Sequence, residues 1–309
     1  MKRNLINKSH LEGYLYEHDL EIKVTGEKSK NPNTEYITGT ISIATDENML
    51  NVVSVHFSYV TELTKKGTAN NTFTVLKNII DGVAFTAMEH GKDKANKIRV
   101  DSALDLNEFW TEKDGKEEFV SARRNEGGFV HFVDVLTENE NDRNTFDCDV
   151  LITGAHRVEA NEEKGIPEKV ILKGAAFNYA KALLPMEFSV TAPDGMDYFE
   201  SLEPSAKSPV FTRIQGVQIS TSTVTKKELP SAFGGTKVVE SKSSYKDFVV
   251  TWASPEPYEW DTEATLTVSE LNEAITNREI LLATKKKERE DYKNQKAAPV
   301  KPAASAFNF

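Results

Sequence analysis

The sequence has one cysteine, Cys148, in 309 residues. A single thiol excludes an intramolecular disulfide and any cysteine-based zinc site. No stretch approaches the roughly 18 consecutive apolar residues that a membrane-spanning helix needs, so no membrane partner is expected. The opening MKRNLINKSHLEG lacks the apolar run of a secretory signal, and together these absences lead to the expectation of a cytoplasmic protein. Positive charge is also short: 38 Lys and Arg stand against 48 Asp and Glu, a net charge of −10. That is the wrong sign for holding nucleic acid by bulk electrostatics, so any such binding must come from local clusters. Catalytic signatures are missing as well. There is no phosphate-binding GxxxxGK[ST], no GxGxxG after a strand, no GxSxG and no HExxH. The histidines, His10, His18, His56, His90, His131 and His156, are scattered, with no pair at helical ligand spacing. Asp147 and Asp149 read as a solvated strand edge, and Asp194 in TAPDG as a turn residue rather than a nuclease carboxylate beside Glu200. A non-enzymatic protein without metal or cofactor is expected.

What is present is alternation. In LEGYLYEHDLEIKV, Leu11, Gly13 and Leu15 alternate with Glu12, Tyr14, Tyr16 and His18. A strand sends successive side chains to opposite faces, so two tyrosines fall on the wetter one. EYITGTISIAT places Ile37, Gly39, Ile41 and Ile43 opposite Tyr36, Thr38, Thr40 and Ser42; NVVSVHFSYV reads as another strand, with Phe57 in phase with Val53, Val55 and Tyr59. Helical spacing of Phe73, Leu76, Ile79 and Ile80 then predicts one short helix within 71–88, and KIRVDSALDL returns to strand. Three strands, a helix and further strands is the order of an OB-fold, a small Greek-key barrel.

A second run has a similar layout: DCDVLITGAHRV and KVILKGAAFNYA, each with a mid-strand glycine, then MEFSVTA, PVFTRIQGVQIS and DFVVTWA. Glycine inside a strand marks the bends a small barrel requires. The expected fold is mainly β: tandem OB-like Greek-key barrels with a few helices and a disordered C-terminal tail. The expected division is a first barrel over 1–115 and a second β domain over 116–262. That second domain carries a Ser/Thr/Lys/Gly-rich stretch at 221–246, read as a long hairpin loop or a flexible insertion. A C-terminal helix over 263–292 and a disordered tail over 293–309 follow. Thr267 and Glu270 match a capping box, and Leu271, Ala274, Ile275, Arg278 and Leu282 form one stripe for docking. The charged run after Lys285 reads as a solvated helix face.

LEGYLYEHDLEIKV, the basic loop GEKSKNPN and TGTISIATDE together resemble the opening of single-stranded DNA-binding proteins of the phage and bacterial type. The likeness is clearest over residues 5–60 and architectural beyond. It implies an OB-fold, stacking of bases on aromatic rings, and a flexible tail that recruits replication proteins, here through Phe307 and Phe309. For a phage-encoded protein the compartment would be the host cytoplasm. This chain departs from the pattern in carrying two barrels, and in its tail. No Asp or Glu follows Asp291, and Lys285, Lys286, Lys287, Arg289, Lys293, Lys296 and Lys301 make the region basic.

The residues expected to bind single-stranded DNA, with RNA not excluded, follow from strand phase. Tyr14, Tyr16 and Tyr36 would be stacking platforms. Lys28 and Lys30 lie in the first loop, and Arg123 and Arg124 in SARRNEGG, read as a turn. Lys173, Phe177 and Tyr179 share a phase in the second run, and Arg213 shares one with Phe211 and Gln215. Packing in a core or interface is the competing role for each ring, and Trp252 and Trp260, flanking the acidic SPEPYE, read as structural. The competing function is a virion or assembly β-barrel that binds other proteins, which the net charge and the non-acidic tail suit.

Overall fold

Leu11 and Leu15 turn inward along β1 (Asn7–His18) and are fully buried, as their alternation requires. Gly13 sits between them because a Cβ there would lie 2.0 Å from the carbonyl oxygen of Ala44 on the neighbouring strand. The computed structural model describes residues 5–113, 115–160, 167–230, 236–262 and 266–297. After β1 come β2 (Glu21–Val24), β3 (Glu35–Ala44), β4 (Val52–Thr61), α1 (Asn71–Ile80), α2 (Ala87–His90), β5 (Lys97–Lys113) and β6 (Lys116–Phe132). β1 pairs antiparallel with β3, β3 with β4, β6 with β5 and β5 with β1, while β4 and β6 run parallel. These pairings close a ring in the OB order, with α1 between the third and fourth barrel strands. The short β2 lies on β3 outside the ring. Ile37, Ile41, Val55, Phe57, Ile98 and Val100 fill it.

The second ring repeats the first strand for strand. It contains β7 (Asn144–Val158), β8 (Lys169–Phe177), β9 (Leu183–Val190), α3 (Pro193–Ser201), β10 (Val210–Pro230) and β11 (Thr236–Ala253). β7–β8, β8–β9, β10–β11 and β10–β7 are antiparallel, and β9–β11 is parallel. Phe146, Phe188 and Phe248 meet within it at centroid distances of 5.5–6.0 Å. Each aromatic buried this way is worth roughly 1.5–3 kcal/mol relative to exposure.

The barrels join through their first strands, which pair antiparallel from Asn7↔Cys148 to Leu11↔Asn144. They also exchange hairpins. Leu104 and Leu106 of β5 belong to the core of the second barrel. β10 in turn reaches the first barrel, where Thr221 bridges Asn51. At this junction the buried Gln218 donates from Nε2 to Ser9 Oγ (2.7 Å) and accepts at Oε1 from Asn125 Nδ2 (2.9 Å). Its carbonyl oxygen accepts from Asn144 Nδ2 (2.8 Å) and Asn51 Nδ2 (3.0 Å).

Three expectations need correction. The border at 115/116 falls in the tip of the β5–β6 hairpin, and Lys116–Phe132 completes the first barrel rather than opening the second. The short helix expected within 71–88 is α1, which stops at Ile80 with Gly82 at φ +71 beyond it, and the single turn of α2 follows from Ala87. The stretch at 221–246 is a hairpin where it is described, not a flexible insertion. β10 and β11 stay paired from Thr221↔Tyr245 out to Pro230↔Thr236, a ladder that gives a polar ribbon its backbone partners. The C-terminal helix, α4, spans Val268–Ala297 rather than 263–292. Tail residues 298–309, with Phe307 and Phe309, lie outside the described residues.

The capping box forms: Glu270 N donates to Thr267 Oγ1 (3.1 Å) and Thr267 N to Glu270 Oε2 (3.0 Å). Leu271 and Ala274 then bury against Leu151, Phe177 and Phe211 on the outside of the second barrel. The charged remainder of α4 is not merely solvated. Arg278 and Lys285 grip Glu108 of the β5–β6 hairpin, with Arg278 Nη1 and Lys285 Nζ each 3.0 Å from Oε2. Arg289 and Lys293 hold Glu117 on the same hairpin. α4 is thus a strap from the second barrel to the hairpin of the first.

Burial opposes the charge on Glu108, but its bonds to Arg278 and Lys285 outweigh it and hold the carboxyl at about 2. A folded-state value below the ordinary 4.5 gives stability that is present above that value and lost as pH falls toward 2. Glu108→Gln is expected to lower stability at pH 7 by about 2 kcal/mol, the scale of hydrogen bonds to charged groups. It is also expected to flatten the fall in melting temperature between about pH 5 and 2.5, the window in which the unfolded carboxyl takes up its proton first. Thermal melts of both proteins across that range check it; parallel curves would remove Glu108 from the strap.

Candidate nucleic-acid interface

The outer face of the first barrel is shaped by two bulges. Between β3 and β4 the register passes from Ile37↔Val60 to Gly39↔Phe57, which leaves one extra residue on β4. A bulge re-aims side chains. Here Phe57 is buried, whereas both Ser58 and Tyr59 are exposed. Tyr59 thereby stands beside Tyr36 of β3, ring centroids 4.7 Å apart at 39°. Between β5 and β6 the register passes from Asp101↔Phe129 to Ala103↔Glu126, an extra residue on β6. Gly127 and Gly128 take φ +63 and +115, and a Cβ on Gly128 would lie 2.2 Å from Asp101 O. After this bulge Phe129 is 72% exposed.

Parallel pairing of β4 and β6, Val55↔Asn125 and His56↔Glu126, brings the two bulges together. Tyr59 and Phe129 line one open groove of about 1020 Å³ with Asn31, Leu63, Lys65 and Asn70. Glu35 and Glu62 also line it. Lys28 and Lys30 are exposed in the loop between β2 and β3, and Lys23 of β2 lies in register with Tyr36. Among the described residues Lys28, Lys30 and Lys65 carry no ion pair. The arrangement offers flat π-faces at the rim of an open trough, with long-armed cations beside it. This is what single-stranded nucleic acid needs, since its bases are free to stack and its phosphates need neutralising.

The other expected residues go elsewhere. Tyr14 donates its phenol to Glu47 Oε2 (2.9 Å), with Lys92 Nζ 5.0 Å from its ring centroid. Glu47 also accepts from Lys92 (2.6 Å) and Arg143 (3.0 Å), and these bonds hold its carboxyl at about 2. Burial, then Glu47, pushes the Tyr14 phenol up. Tyr14 is therefore a fixed member of an ion network, not a free platform. Tyr16 is the unpaired residue of a bulge in β1, half-buried. Phe177 is a correction: it is fully buried beneath α4, edge-on to Phe211 at 5.9 Å, and cannot meet a base. Arg213 is closed by a two-pronged pair with Asp147 (Nε 2.7 Å, Nη2 2.5 Å), which raises its pKa.

Arg123 and Arg124 lie within strand β6, not in a turn, because the glycines that suggested one form the bulge. Arg124 is held by Glu126 (3.0 Å) and Asp105 (3.8 Å). Lys173 is exposed on β8 and Tyr179 fully exposed in the turn after it. Trp260 stacks on Phe211 at 5.6 Å, as a structural ring should, whereas Trp252 is 45% exposed. Sequence reasoning missed Tyr59 and Phe129. Unbroken alternation puts Tyr59 in phase with Phe57, and only the paired Gly127–Gly128 hinted that Phe129 is displaced.

Two solved structures similar to the chain are of the single-stranded DNA-binding protein from Thermus aquaticus. The wild-type protein is 10% identical with a TM-score of 0.47, over 85% of this chain and 98% of that one. A deletion mutant of the same protein is 11% identical with a TM-score of 0.46, over 83% and 96%. No curated protein sequence matches at a significant level. The sequence profile of the YorF family matches residues 6–288, nearly the whole chain, and the chain belongs to that family.

Proposed function

We propose that this protein binds single-stranded DNA without marked sequence preference and coats strands exposed during replication or recombination. Bases stack on Tyr36, Tyr59 and Phe129, and Lys28, Lys30 and Lys65 neutralise nearby phosphates. The observation that carries this reading is the pair of bulges that turns Tyr59 out beside Tyr36 and turns Phe129 out along the groove that Tyr59 lines. They do so on the barrel face that OB-folds use for oligonucleotides. Every base has a π-face, so stacking of this kind tolerates sequence. The net charge of −10 confines attraction to this local surface and discourages indiscriminate duplex binding.

Fluorescence anisotropy of a labelled oligo-dT at about 50 and about 200 mM salt, a range over which phosphate contacts weaken measurably, tests it. Binding that weakens with salt, and that unlabelled single strands displace more readily than duplex of equal length, is expected. A matching titration with oligo-U reports on RNA. An unchanged anisotropy at the lower salt would refute the reading.

A further inference from the structure

The two strands that carry the aromatic rims, β4 and β6, run on from the groove into a second cavity. It lies between the barrels, has a volume of about 270 Å³, and is lined by Ser54, Arg123, Arg124, Asn125, Gln218 and Lys246. Both barrels contribute to it. Ser54 lies five residues before Tyr59, or about 17 Å along a strand.

Arg123 is the unusual group here. Its guanidinium lies 4.7 Å from the Phe248 ring centroid and donates to two carbonyl oxygens, Glu187 O and Lys246 O (3.2 Å). Among the described residues no carboxylate lies within ion-pair distance of it. Asp247, the acid that lines the cleft, is already taken by Lys169 (3.0 Å), Ser189 (2.7 Å) and Tyr245 (2.6 Å). The guanidinium is thus half-buried, hydrogen-bonded only to neutral carbonyls, and favoured by Asp247 and Glu187 without pairing to either, so it can take a further anion. Arg124 Nε and Asn125 Oδ1 are also buried there without partners, leaving one donor and one acceptor unsatisfied. Lys246 is exposed and carries no ion pair among the described residues.

We propose that this inter-barrel cleft binds a phosphate group on Arg123 and Lys246, and that in the working protein the phosphate belongs to the DNA strand leaving the aromatic groove. The second half rests on the single-strand reading above; the first does not. A strand held this way touches both barrels, so the second barrel contributes charge where the first contributes rings.

The test uses the full chain and Lys246→Gln, which removes one cation at an exposed position. In oligo-dT binding the log–log salt slope is expected to shrink by about 0.7, the single-strand value per phosphate contact. Affinity then falls about eight-fold at about 50 mM salt and about three-fold at about 200 mM, from the same slope. Tyr59→Ala serves as the comparison, expected to weaken binding with its slope unchanged. A wild-type slope retained in Lys246→Gln would overturn the cleft proposal and leave the single-strand reading standing. Should the wild type bind no strand at all, that reading fails and inorganic phosphate decides the cleft. A melting temperature raised by phosphate in the wild type but not in Lys246→Gln supports a free-phosphate site. A rise in neither, or an equal rise in both, overturns it.

Discussion

Replacing Tyr59 and Phe129 together by alanine is expected to weaken oligo-dT binding by about 2–6 kcal/mol, roughly thirty-fold or more, at roughly 1–3 kcal/mol per stacked base. Both side chains are already solvated, Phe129 at 72% and Tyr59 at 47%. Surface substitutions of this kind leave stability within about 0.5 kcal/mol, so the melting temperature should barely move. Tyr14→Ala gives the opposite pattern. It strips one partner from the Glu47 network with Lys92 and Arg143, lowering stability without touching the groove. Tyr179→Ala should change neither, since that ring lies on the second barrel away from the trough. Isothermal titration and thermal melts on the same preparations separate these outcomes. Equal binding by wild type and the double variant would show that the rings at the trough do not stack.

Gln218→Leu is expected to cost about 2–6 kcal/mol of stability, from two buried polar groups that each lose a partner. Leucine fills nearly the same volume, so packing is conserved and the hydrogen bonds are what changes. Ser9 Oγ loses the amide that donates to it, and Asn125 Nδ2 keeps Ser54 O (3.1 Å) but loses Gln218. Each buried polar group left unpaired costs about 1–3 kcal/mol. Because the same amide links β10 of one barrel to β1 and β6 of the other, the barrels should also uncouple. Denaturant unfolding is expected to lose its single transition and show two. One transition at an unchanged midpoint would mean that the β1–β7 pairing, the hairpin exchange and the α4 strap hold the junction without this amide.

Much of this fold can be read from alternation. The inward isoleucines of β3, the helical spacing in α1 and the second run from Asp147 all point to two barrels of one order. What alternation cannot show is where it breaks. A bulge adds one residue and flips the phase, so Tyr59 groups with the core in the sequence while Tyr14, on the correct wet phase, meets Glu47 instead. Partners distant in sequence are equally hidden: Lys285, Arg289 and Lys293 look solvated until Glu108 and Glu117 come alongside. The polar stretch from 221 leaves a hairpin and a flexible insertion both open, because a two-stranded ribbon beyond the barrel draws its order from the backbone ladder rather than from an apolar face. The barrel border is misplaced for a related reason. The strands on either side of the expected border pair as far as Lys113↔Lys116 in one long hairpin, and turn chemistry alone cannot tell a hairpin from a linker.

The most direct measurement is photocrosslinking of an oligonucleotide carrying 5-iododeoxyuridine, followed by mass-spectrometric mapping of the adducts. Adducts on the peptides that contain Tyr36, Tyr59 and Phe129 are the expected result. Adducts confined to Tyr179 or Trp252 on the second barrel, from a protein that does bind the strand, would contradict it.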